Sequence, residues 1–539
     1  MLAVAALIML SVSACSGASR GDKGDSVFRL GSVQAIDSLN PFVAIESTAF
    51  SVFEYIYPNL VQYDPADHIV SDFARSWEVS PNGKTWTFHT QPNAVWSDGK
   101  PLTAADAAWS LNTIAKFQSG PTSSVAAYVS HLTSATAPDP TTLVLQYAEP
   151  VANVLSQMTS VQILPEHLWA TYATGDGKAL TTFDNAAPVV SGGPFKLISA
   201  VPNQKALLQR NPTFYGPKPH ISGLGLQFFG TDDAMITALK SGQLDGVSTV
   251  APTSVATLKS NGFVVRSAPG LGFDDFIINS NPQQNAAHRE LVNPLVREAF
   301  DYAMDRPNIV KTSLLGFGQP GSSIIPPGSG HWYDDQIKPT PFDLARANQL
   351  LDQAGYPMGS DHVRVANGHK MSYTVIMSAD ATNGYGSRSF QIIQSEFAKI
   401  GVQLHPQHLD NSAATAAIVA DQYKSYEIAM WGWGLGEDPD DMLSYLTCGD
   451  WGSLNDTGFC GKDWDKLYQD QGTAVNPAER QKIVNQMQQI AAQKRLYLVL
   501  DYPNLIEAHS KQWTDLPLVQ GTSFDLGSKI SFESVRRVG

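Results

Sequence analysis

The sequence is poor in cysteine, in charged residues and in long apolar runs. Three Cys among 539 residues exclude a small disulfide-dense scaffold. Charged residues make up 16% of the chain and hydrophobic residues 43%, whereas an average soluble domain is about 25% charged. Intrinsic disorder is therefore excluded, because disordered chains are rich in charge and poor in aromatic residues. The scattered Gly and Pro show no fixed period, which excludes collagen and simple repeats.

Basic residues are fewer than acidic residues. The chain has 36 Lys and Arg against 50 Asp and Glu, which gives a formal net charge of −14. A nucleic-acid partner is excluded on this ground, because binding to phosphates requires a basic face. Domains of roughly 100–200 residues are usual, so this length predicts two to four of them. The sequence indicates a large, acidic, multi-domain protein.

The N-terminal residues predict export and lipid anchoring. Residues 1–14 are uncharged and apolar or small, and they are too short to cross a bilayer, so they fit a secretory signal. The segment from Val12 to Cys15 resembles the bacterial lipobox, whose Cys is lipidated and becomes the mature N-terminus. Residues 15–26 would then form a flexible tether to the outer face of the cell membrane. An ordinary signal peptide with a chance Cys is the alternative, since no Lys or Arg precedes the apolar run.

The other cysteines favour a disulfide over a metal site. Cys448 and Cys460 lie in a stretch rich in Gly, Asp and Asn, and in an oxidising compartment such a pair most simply forms a disulfide. A metal site is disfavoured because no matching His or Cys pair lies nearby. His405, His408 and Asp410 have a metal-like composition, but a strand with an intervening Pro favours a surface pair. We predict no metal and no cofactor.

Hydrophobic patterning indicates strands that alternate with helices. The turn at residues 81–83 and the alternation over Thr85–His89 predict a β-hairpin. Thr103 and Asp106 have the spacing of a helix-capping pair. Asn476, followed by Pro, predicts the start of another helix, whose core face would hold Ile483, Met487 and Ile490. This order, with a β-rich insertion, is typical of an α/β protein with several lobes.

One long segment resembles a known family. The run from Asp72 to Leu111 (DFARSWEVSPNGKTWTFHTQPNAVWSDGKPLTAADAAWSL) is similar to the family 5 extracellular solute-binding proteins, the dipeptide- and oligopeptide-binding components of ABC importers. Five further matches follow in family order, namely SGGPFKL (191–197), SGQLDG (241–246), LVREAFDYAMDRPNIV (295–310), ARANQLLDQAGY (345–356) and AERQKIVNQMQQIA (478–491). Six ordered matches are far more specific than one motif, so the chain is identified as a member of this family.

The resemblance implies a fold and a mode of action. The fold would be α/β, a two-lobed periplasmic-binding-protein-like fold of type II, cluster C, with an extra β-rich domain. Lobe I would comprise 27–66, 186–276 and 503–539, the extra domain 67–185, and lobe II 277–502. Crossovers near Phe276–Ser280 and Leu500–Pro503 would form a hinge. The implied protein is a monomer that closes around a short peptide and delivers it to the permease subunits, without catalysis.

The segment Met430–Leu443 (MWGWGLGEDPDDML) holds most of the candidate ligand-binding residues. In peptide-binding relatives an acid three positions after a Trp on this strand pairs with the α-ammonium group of the peptide. Here Gly434 and Gly436 occupy those positions, so the neighbouring Glu437 is the candidate acid. The candidates in this segment are Trp431, Trp433, Glu437, Asp438 and Asp440. A turn that caps the following helix is the alternative for the acids, as core packing is for the Trp residues.

Other assignments are less specific. The resemblance places Asn40 and Asn279 at the cleft, although each could equally satisfy backbone groups in a turn or the hinge. A secreted hydrolase is the competing class, but the sequence has no Gly-x-Ser-x-Gly, His-Glu-x-x-His or phosphate-loop motif. The Gly432-x-Gly434-x-Gly436 run is too isolated to indicate nucleotide binding. A peptide is the expected ligand, and an oligosaccharide, haem or a metal chelate stays open.

Overall fold

The computed structural model describes residues 27–66, 68–283, 286–378, 386–517 and 529–538. The predicted signal (1–14), Cys15 and the tether (15–26) lie outside the described residues. Within the described part of the chain, no helix combines the length and apolarity needed to cross a membrane.

Strands and helices alternate along the chain. The strands are β1 (Val27–Ser32), β2 (Val61–Tyr63), β3 (Ile69–Ser71), β4 (Ala74–Val79), β5 (Thr85–Thr90), β6 (Leu132–Asp139), β7 (Thr142–Tyr147), β8 (Phe195–Val201), β9 (Lys205–Arg210), β10 (Gly223–Phe228), β11 (Gly246–Val247), β12 (Val264–Pro269), β13 (Gly272–Ile278), β14 (Gly318–Pro320), β15 (Val365–Ala366), β16 (His369–Lys370), β17 (Ser372–Met377), β18 (Gln403–His408), β19 (Ile428–Gly434), β20 (Leu498–His509), β21 (Trp513–Thr514) and β22 (Arg536–Arg537). The helices are α1 (Ser47–Ile56), α2 (Ala104–Phe117), α3 (Val154–Ser160), α4 (Glu166–Trp169), α5 (Ala179–Thr182), α6 (Asp232–Lys240), α7 (Val255–Ser260), α8 (Pro294–Tyr302), α9 (Arg306–Thr312), α10 (Leu344–Gln353), α11 (Gly386–Lys399), α12 (Asn411–Val419), α13 (Asp440–Tyr445), α14 (Lys462–Thr473), α15 (Pro477–Lys494) and α16 (Lys529–Ser534).

One long strand joins two groups of strands. The main sheet has the order β18-β17-β19-β13-β20-β11-β1-β10-β9-β8, and β12 and β14 also pair with β20. Residues 498–503 of β20 pair with β13 and β14. Residues 504–509 pair instead with β11 and β12. The partner strands of β20 therefore change after Pro503. Of these partners, β12 pairs with the second part of β20 and β13 with the first, and residues 270–271 connect β12 to β13.

A second sheet forms the β-rich part of the N-terminal half. It has the order β4-β5-β7-β6, and α2 packs against it. The β4–β5 hairpin confirms the strand pair predicted from the turn and the alternation. The side chain of Thr103 accepts from a backbone N–H in the first turn of α2, and Asp106 accepts from the backbone N–H of Thr103 at 2.9 Å. The predicted capping pair is thereby confirmed.

The helix α15 begins at the predicted residue and presents a wider face to the core than predicted. The side chain of Asn476 accepts from the first backbone N–H groups, as predicted. The buried residues are Arg480, Val484, Met487, Gln488 and Ala491, whereas Ile483 and Ile490 are only half-buried. Ile483 and Ile490 nevertheless pack against the hydrophobic cluster that contains Met487, so the predicted core face is confirmed and extends to Arg480 and Gln488. The polar contacts of Arg480 and Gln488 fix the rotation of the helix, because buried polar groups need hydrogen-bond partners.

The two chain ends meet in one core. The ring of Phe28 on β1 lies 5.0 Å from that of Trp513 and 5.3 Å from that of Phe532 on α16, between ring centroids. The ammonium group of Lys529 lies 2.6 Å from a carboxylate oxygen of Asp72, and both side chains are buried. The C-terminal residues thus complete the hydrophobic core that β1 and α1 begin.

Candidate functional site

Two cavities lie between segments of the N-terminal half and segments of the C-terminal half. The first, which we call the Glu437 cavity, has a volume of about 290 Å³. Its lining from the N-terminal half includes Tyr63, His68, Asn153 and Ser156, and its lining from the C-terminal half includes His331, Trp332, Glu437, Asp438 and Arg480. The cavity therefore presents both ring faces and charged groups to a ligand.

The second cavity is larger and more acidic. This Asp441 cavity has a volume of about 730 Å³ and lies between residues 127–157 and residues 440–473. Its described lining holds four carboxylates and neither Lys nor Arg; the four are Glu149, Asp440, Asp441 and Asp470. Burial, and then the charges of Asp440 and Asp438, raise the pKa of Asp441 to about 6. The wall of this cavity suits a cationic group, because a cation would relieve the repulsion among the carboxylates.

Carboxylates from opposite halves of the chain act on one another. Glu54 is half-buried on α1, in the N-terminal half. Burial of its carboxylate, and then the negative charge of Glu437, raise the pKa of Glu54 to about 7. Burial also raises the pKa of Tyr128, and the charges of Asp441 and Glu437 raise it further. Glu54 and Tyr128 thus share one electrostatic environment with the acids of the C-terminal half.

The strand β19 holds Trp433 rigidly. The indole Nε1 donates to a carboxylate oxygen of Asp456 at 3.0 Å. The ring of Trp433 lies 4.6 Å from that of Tyr445, between centroids, with an angle of 32° between the planes. Trp431 and Trp433 are both half-buried at the edge of one hydrophobic cluster. Neither of them is among the residues that line the two cavities.

Asp438 and Asp440 are engaged within the protein. Asp438 accepts from both terminal nitrogens of Arg480, at 2.7 and 2.6 Å. Asp440 accepts from Gln471 at 2.6 Å and from the hydroxyl of Tyr468 at 3.2 Å. The backbone N–H of Asp440 also donates to Asp438 at 3.0 Å. Both acids line the cavities, but these contacts fix the turn and the start of α13, which was the alternative role.

Asn40 and Asn279 are fully buried and bind backbone groups. The amide nitrogen of Asn40 donates to the carbonyl oxygens of Leu180 and Phe183, at 2.6 and 2.9 Å. That of Asn279 donates to the carbonyls of Tyr423 and Tyr426, at 2.7 and 2.8 Å. Neither residue is among those that line the two cavities. Both residues thus have the structural role that the sequence left open.

The cysteine pair stabilises the loop beside this region. Cys448 and Cys460 form a disulfide, with their Cα atoms 4.7 Å apart. The enclosed loop carries Asp456, which is the hydrogen-bond acceptor of Trp433. The disulfide therefore supports the position of a candidate ligand-binding ring.

Sequence reasoning missed Glu54 and Tyr128. Glu54 is the sole charged residue in helix α1 and is flanked by Phe53 and Tyr55, and this contrast was a usable signal. Tyr128 lies in a short 3₁₀-helical stretch, Ser123–Val129, with no motif around it. A further group of possible metal ligands, His288, Glu290 and His369, also converges in the C-terminal half but lines neither cavity.

A protein-family model covers most of this chain. The model of the bacterial extracellular solute-binding proteins, family 5 middle region, matches residues 68–453. Among curated proteins, a putative ABC transporter peptide-binding protein of Brucella ovis is 27% identical over 413 residues, which cover 75% of this chain and 72% of the relative.

Solved structures share the fold over nearly the whole length. The ABC transporter substrate-binding protein CtaP of Listeria monocytogenes aligns with a TM-score of 0.79 and 20% identity, and covers 96% of this chain and 100% of its own. The periplasmic binding protein DppA of Helicobacter pylori, solved with the peptide STSA, aligns with a TM-score of 0.73 and 22% identity. The alignment covers 96% of this chain and 98% of DppA. These alignments confirm the predicted mixed α/β fold of the cluster C binding proteins.

Proposed function

Because the chain belongs to the bacterial extracellular solute-binding proteins of family 5, which serve ABC importers and are not enzymes, we propose that its cargo is a short peptide bound through the α-ammonium group. The protein acts outside the cytoplasm and works with the membrane subunits of an ABC transporter. The identity of the cargo is the part that we propose. The Brucella relative is named a putative peptide-binding protein, and the Helicobacter structure holds a peptide.

The observation that carries the proposal is the pair of carboxylates from opposite halves of the chain. Glu437 acts electrostatically on Glu54, and Asp438 is already neutralised by Arg480. A cation beside Glu437 in its cavity would be attracted by Glu437 and, when Glu54 is ionised, by Glu54 as well. An α-ammonium group supplies that charge with three hydrogen-bond donors, and exclusion of water strengthens each contact. The half-buried side chain of Trp433 would pack against the peptide without strong preference for its sequence.

The same pair gives a physical reason for closure. Without cargo, Glu437 repels Glu54 whenever Glu54 is ionised, above a pKa of about 7, and this repulsion favours separation of the halves. A ligand that contacts both halves binds the closed form more tightly than the open form, and only such differential affinity can shift the equilibrium. The closed form would then be the one that the permease recognises.

We propose the lobe boundaries that the family resemblance implies, with the first crossover moved to fit the strand pairing. Lobe I would comprise 27–66, 186–271 and 503–539, the β-rich domain 67–185, and lobe II 272–502. The change of partner along β20 after Pro503 supports the second crossover at 500–503. The corresponding change at residues 270–271 supports a first crossover slightly before the expected 276–280.

The membrane attachment is also a proposal. Lipidation of Cys15 would hold a monomeric binding protein on the outer face of the cell membrane, close to its permease, and residues 16–26 would act as a tether. In the native host, Cys15→Ser should move the protein from the membrane fraction to the soluble exported fraction. An unchanged distribution would favour the ordinary signal peptide.

Native mass spectrometry of the purified protein tests the choice of cargo. We expect short peptides that were carried over from expression, and a smaller radius of gyration in X-ray scattering when peptide is added to the stripped protein. A cargo-free protein that responds to oligosaccharides and to no peptide would contradict the proposal. Binding without turnover distinguishes this role from that of a secreted hydrolase.

A further inference from the structure

A second site, separate from both cavities, is formed by histidine and glutamate side chains. His288 and Glu290 lie on the short 3₁₀-helical segment Ala286–Val292, and His369 lies on β16. One possible ligand atom from each of these residues lies within 4.8 Å of the others. Nδ1 of His288 is 3.4 Å from Oε1 of Glu290, and Nε2 of His369 is 3.0 Å from the same oxygen.

These separations are close to those between the ligands of a small metal ion. With metal–ligand bonds of about 2.0–2.1 Å in a tetrahedral site, neighbouring ligand atoms lie about 3.3–3.4 Å apart. The contact of His288 already has this length, and that of His369 is a few tenths of an ångström shorter. Coordination of one ion by all three ligand atoms, which lie within 4.8 Å of one another, would require rotation of the side chains towards a common centre.

The surroundings of His288 prepare one ring nitrogen for coordination. On the side of the ring away from Glu290, Nε2 lies 2.9 Å from Oε1 of Glu427. A neutral His288 with its proton on Nε2 would donate it to that carboxylate and would direct the lone pair of Nδ1 at Glu290. Metal-binding histidines usually donate their other ring N–H to a carboxylate or carbonyl in this way, because the bond fixes the orientation of the ring.

The carboxylate of Glu290 is oriented by its own partners. The hydroxyl of Tyr373 donates to Oε1 at 2.8 Å, and the amide of Asn367 donates to Oε2 at 3.1 Å. The Glu290 side chain is 0% exposed, whereas those of His288 and His369 are 18% and 28% exposed. The anionic ligand is thus rigid and buried, while the histidine side leaves a path from the solvent.

From this geometry we propose that His288, Glu290 and His369 bind a zinc ion, with the fourth position open to water. Two imidazoles and one carboxylate are a donor set that suits zinc better than magnesium or calcium, which take mainly oxygen ligands. The ion would tie the segment that follows β13 to the β15–β16 hairpin. It would be a fixed component of the C-terminal half rather than transported cargo, because the group lines neither cavity.

The competing explanation is an ion-pair network without metal. A doubly protonated His288 would donate to Glu290 and Glu427 at once, and His369 would donate to Glu290 as well. This network and a zinc site use the same side chains, so their geometry alone does not separate them. They differ in the response to added metal, which the following measurements use.

Isothermal titration calorimetry of the full chain, without a histidine tag and after treatment with EDTA, tests the proposal. Zinc chloride should bind with a stoichiometry of one and a micromolar or lower Kd. His288→Gln and His369→Gln should weaken binding at least 100-fold. Glu427→Gln, which keeps all three ligands and removes only the orienting carboxylate, should weaken it about 10- to 100-fold. The matched control is His405→Gln on β18, which should keep the wild-type Kd. His405 is exposed, and its Nε2 lies 2.9 Å from the hydroxyl of Ser372.

A thermal unfolding series covers the case in which a variant folds poorly. Zinc should raise the Tm of the wild-type protein and of His405→Gln, and it should leave the Tm of His369→Gln unchanged. Absence of both binding heat and Tm shift would overturn the proposal in favour of the ion-pair network, as would zinc binding that survives in the His288→Gln, His369→Gln double variant. Peptide affinity of His369→Gln should equal that of the wild type, so this inference and the proposed function fail independently.

Discussion

Glu54 and Glu437, which lie 383 positions apart in the sequence, share one electrostatic environment: burial, and then the charge of Glu437, raise the pKa of Glu54 to about 7. Two acids in this relationship favour a cation between them, because each then contributes attraction in place of repulsion. The first two predictions below depend on this pair.

Glu437→Gln should weaken binding of a short peptide about tenfold, which corresponds to about 1.4 kcal/mol. The variant keeps the size of the side chain and removes its charge, so the loss reports on the ammonium contact. Calorimetry with one peptide in two forms measures it. The form with a free α-amine should lose affinity, and the N-acetylated form should bind equally weakly to variant and wild type. An unchanged Kd for the free-amine form would return Glu437 to a structural role.

Peptide affinity should rise between pH 5.5 and pH 7, below the pKa of about 7.7–8.0 at which the α-ammonium group of the peptide loses its proton. Below a pKa of about 7 Glu54 is mostly protonated and attracts a cation weakly, whereas above it the ionised carboxylate adds to the field of Glu437. Glu54→Gln removes the titrating group and should flatten the dependence over this range. A wild-type Kd that is independent of pH, or a variant that keeps the full dependence, would contradict the assignment of Glu54 to the site.

Asp438→Asn should lower the free energy of unfolding by about 3 kcal/mol, since it leaves the guanidinium group of Arg480 buried and without its anion. The side chains of this ion pair are 13% and 5% exposed, for Asp438 and Arg480 respectively. Urea unfolding followed by circular dichroism measures the change. The matched control is Asp470→Asn, which breaks the exposed pair with Lys466 and should produce no measurable change.

The free energy of unfolding should fall as the pH rises, because the buried carboxyl group of Asp275 is protonated in the folded state. Burial, and then the charges of Asp456 and Asp274, raise the pKa of Asp275 well above its ordinary value of 3.8. The folded state therefore holds a proton that the unfolded chain releases near pH 4. The free energy of unfolding must fall as the pH rises from there through the folded-state pKa.

Asp275→Asn mimics the protonated form and should reduce this fall. Urea unfolding at pH 5 and pH 8 provides the measurement, with Asp233→Asn on the exposed face of α6 as the control that keeps the wild-type slope. An Asp275→Asn variant with the same loss of stability between the two pH values as the wild type would contradict the argument.

The sequence predicted those features that depend on neighbouring residues or on family motifs. The β4–β5 hairpin and the caps at Thr103 and Asn476 follow from local turn and capping chemistry, and the fold follows from six ordered motifs. The pairing of Glu290 with His369 could not be predicted, because 79 residues separate them and the pattern of neither segment points to the other.

The candidate site was predicted less completely than the fold. Trp433 and Glu437 were both proposed from one segment, because the family resemblance places an acid shortly after a Trp on this strand. Their partners Glu54 and Tyr128 come from distant elements, and only the assembled sheet brings them near. Asn40 and Asn279 were assigned to the cleft by resemblance, but their amides bind backbone carbonyls, a difference that the residue type does not reveal.

The meeting of the two chain ends has a consequence for biosynthesis. The core around Phe28 requires Phe532, and the carboxylate of Asp72 requires an ammonium group 457 residues further along the chain. An exported chain that emerges from its N-terminus cannot make these contacts until nearly all of it has emerged, because closing so long a loop needs both ends. The first half of the protein should therefore remain incompletely folded until then, and truncation of the last dozen residues should harm the beginning of the molecule more than its middle.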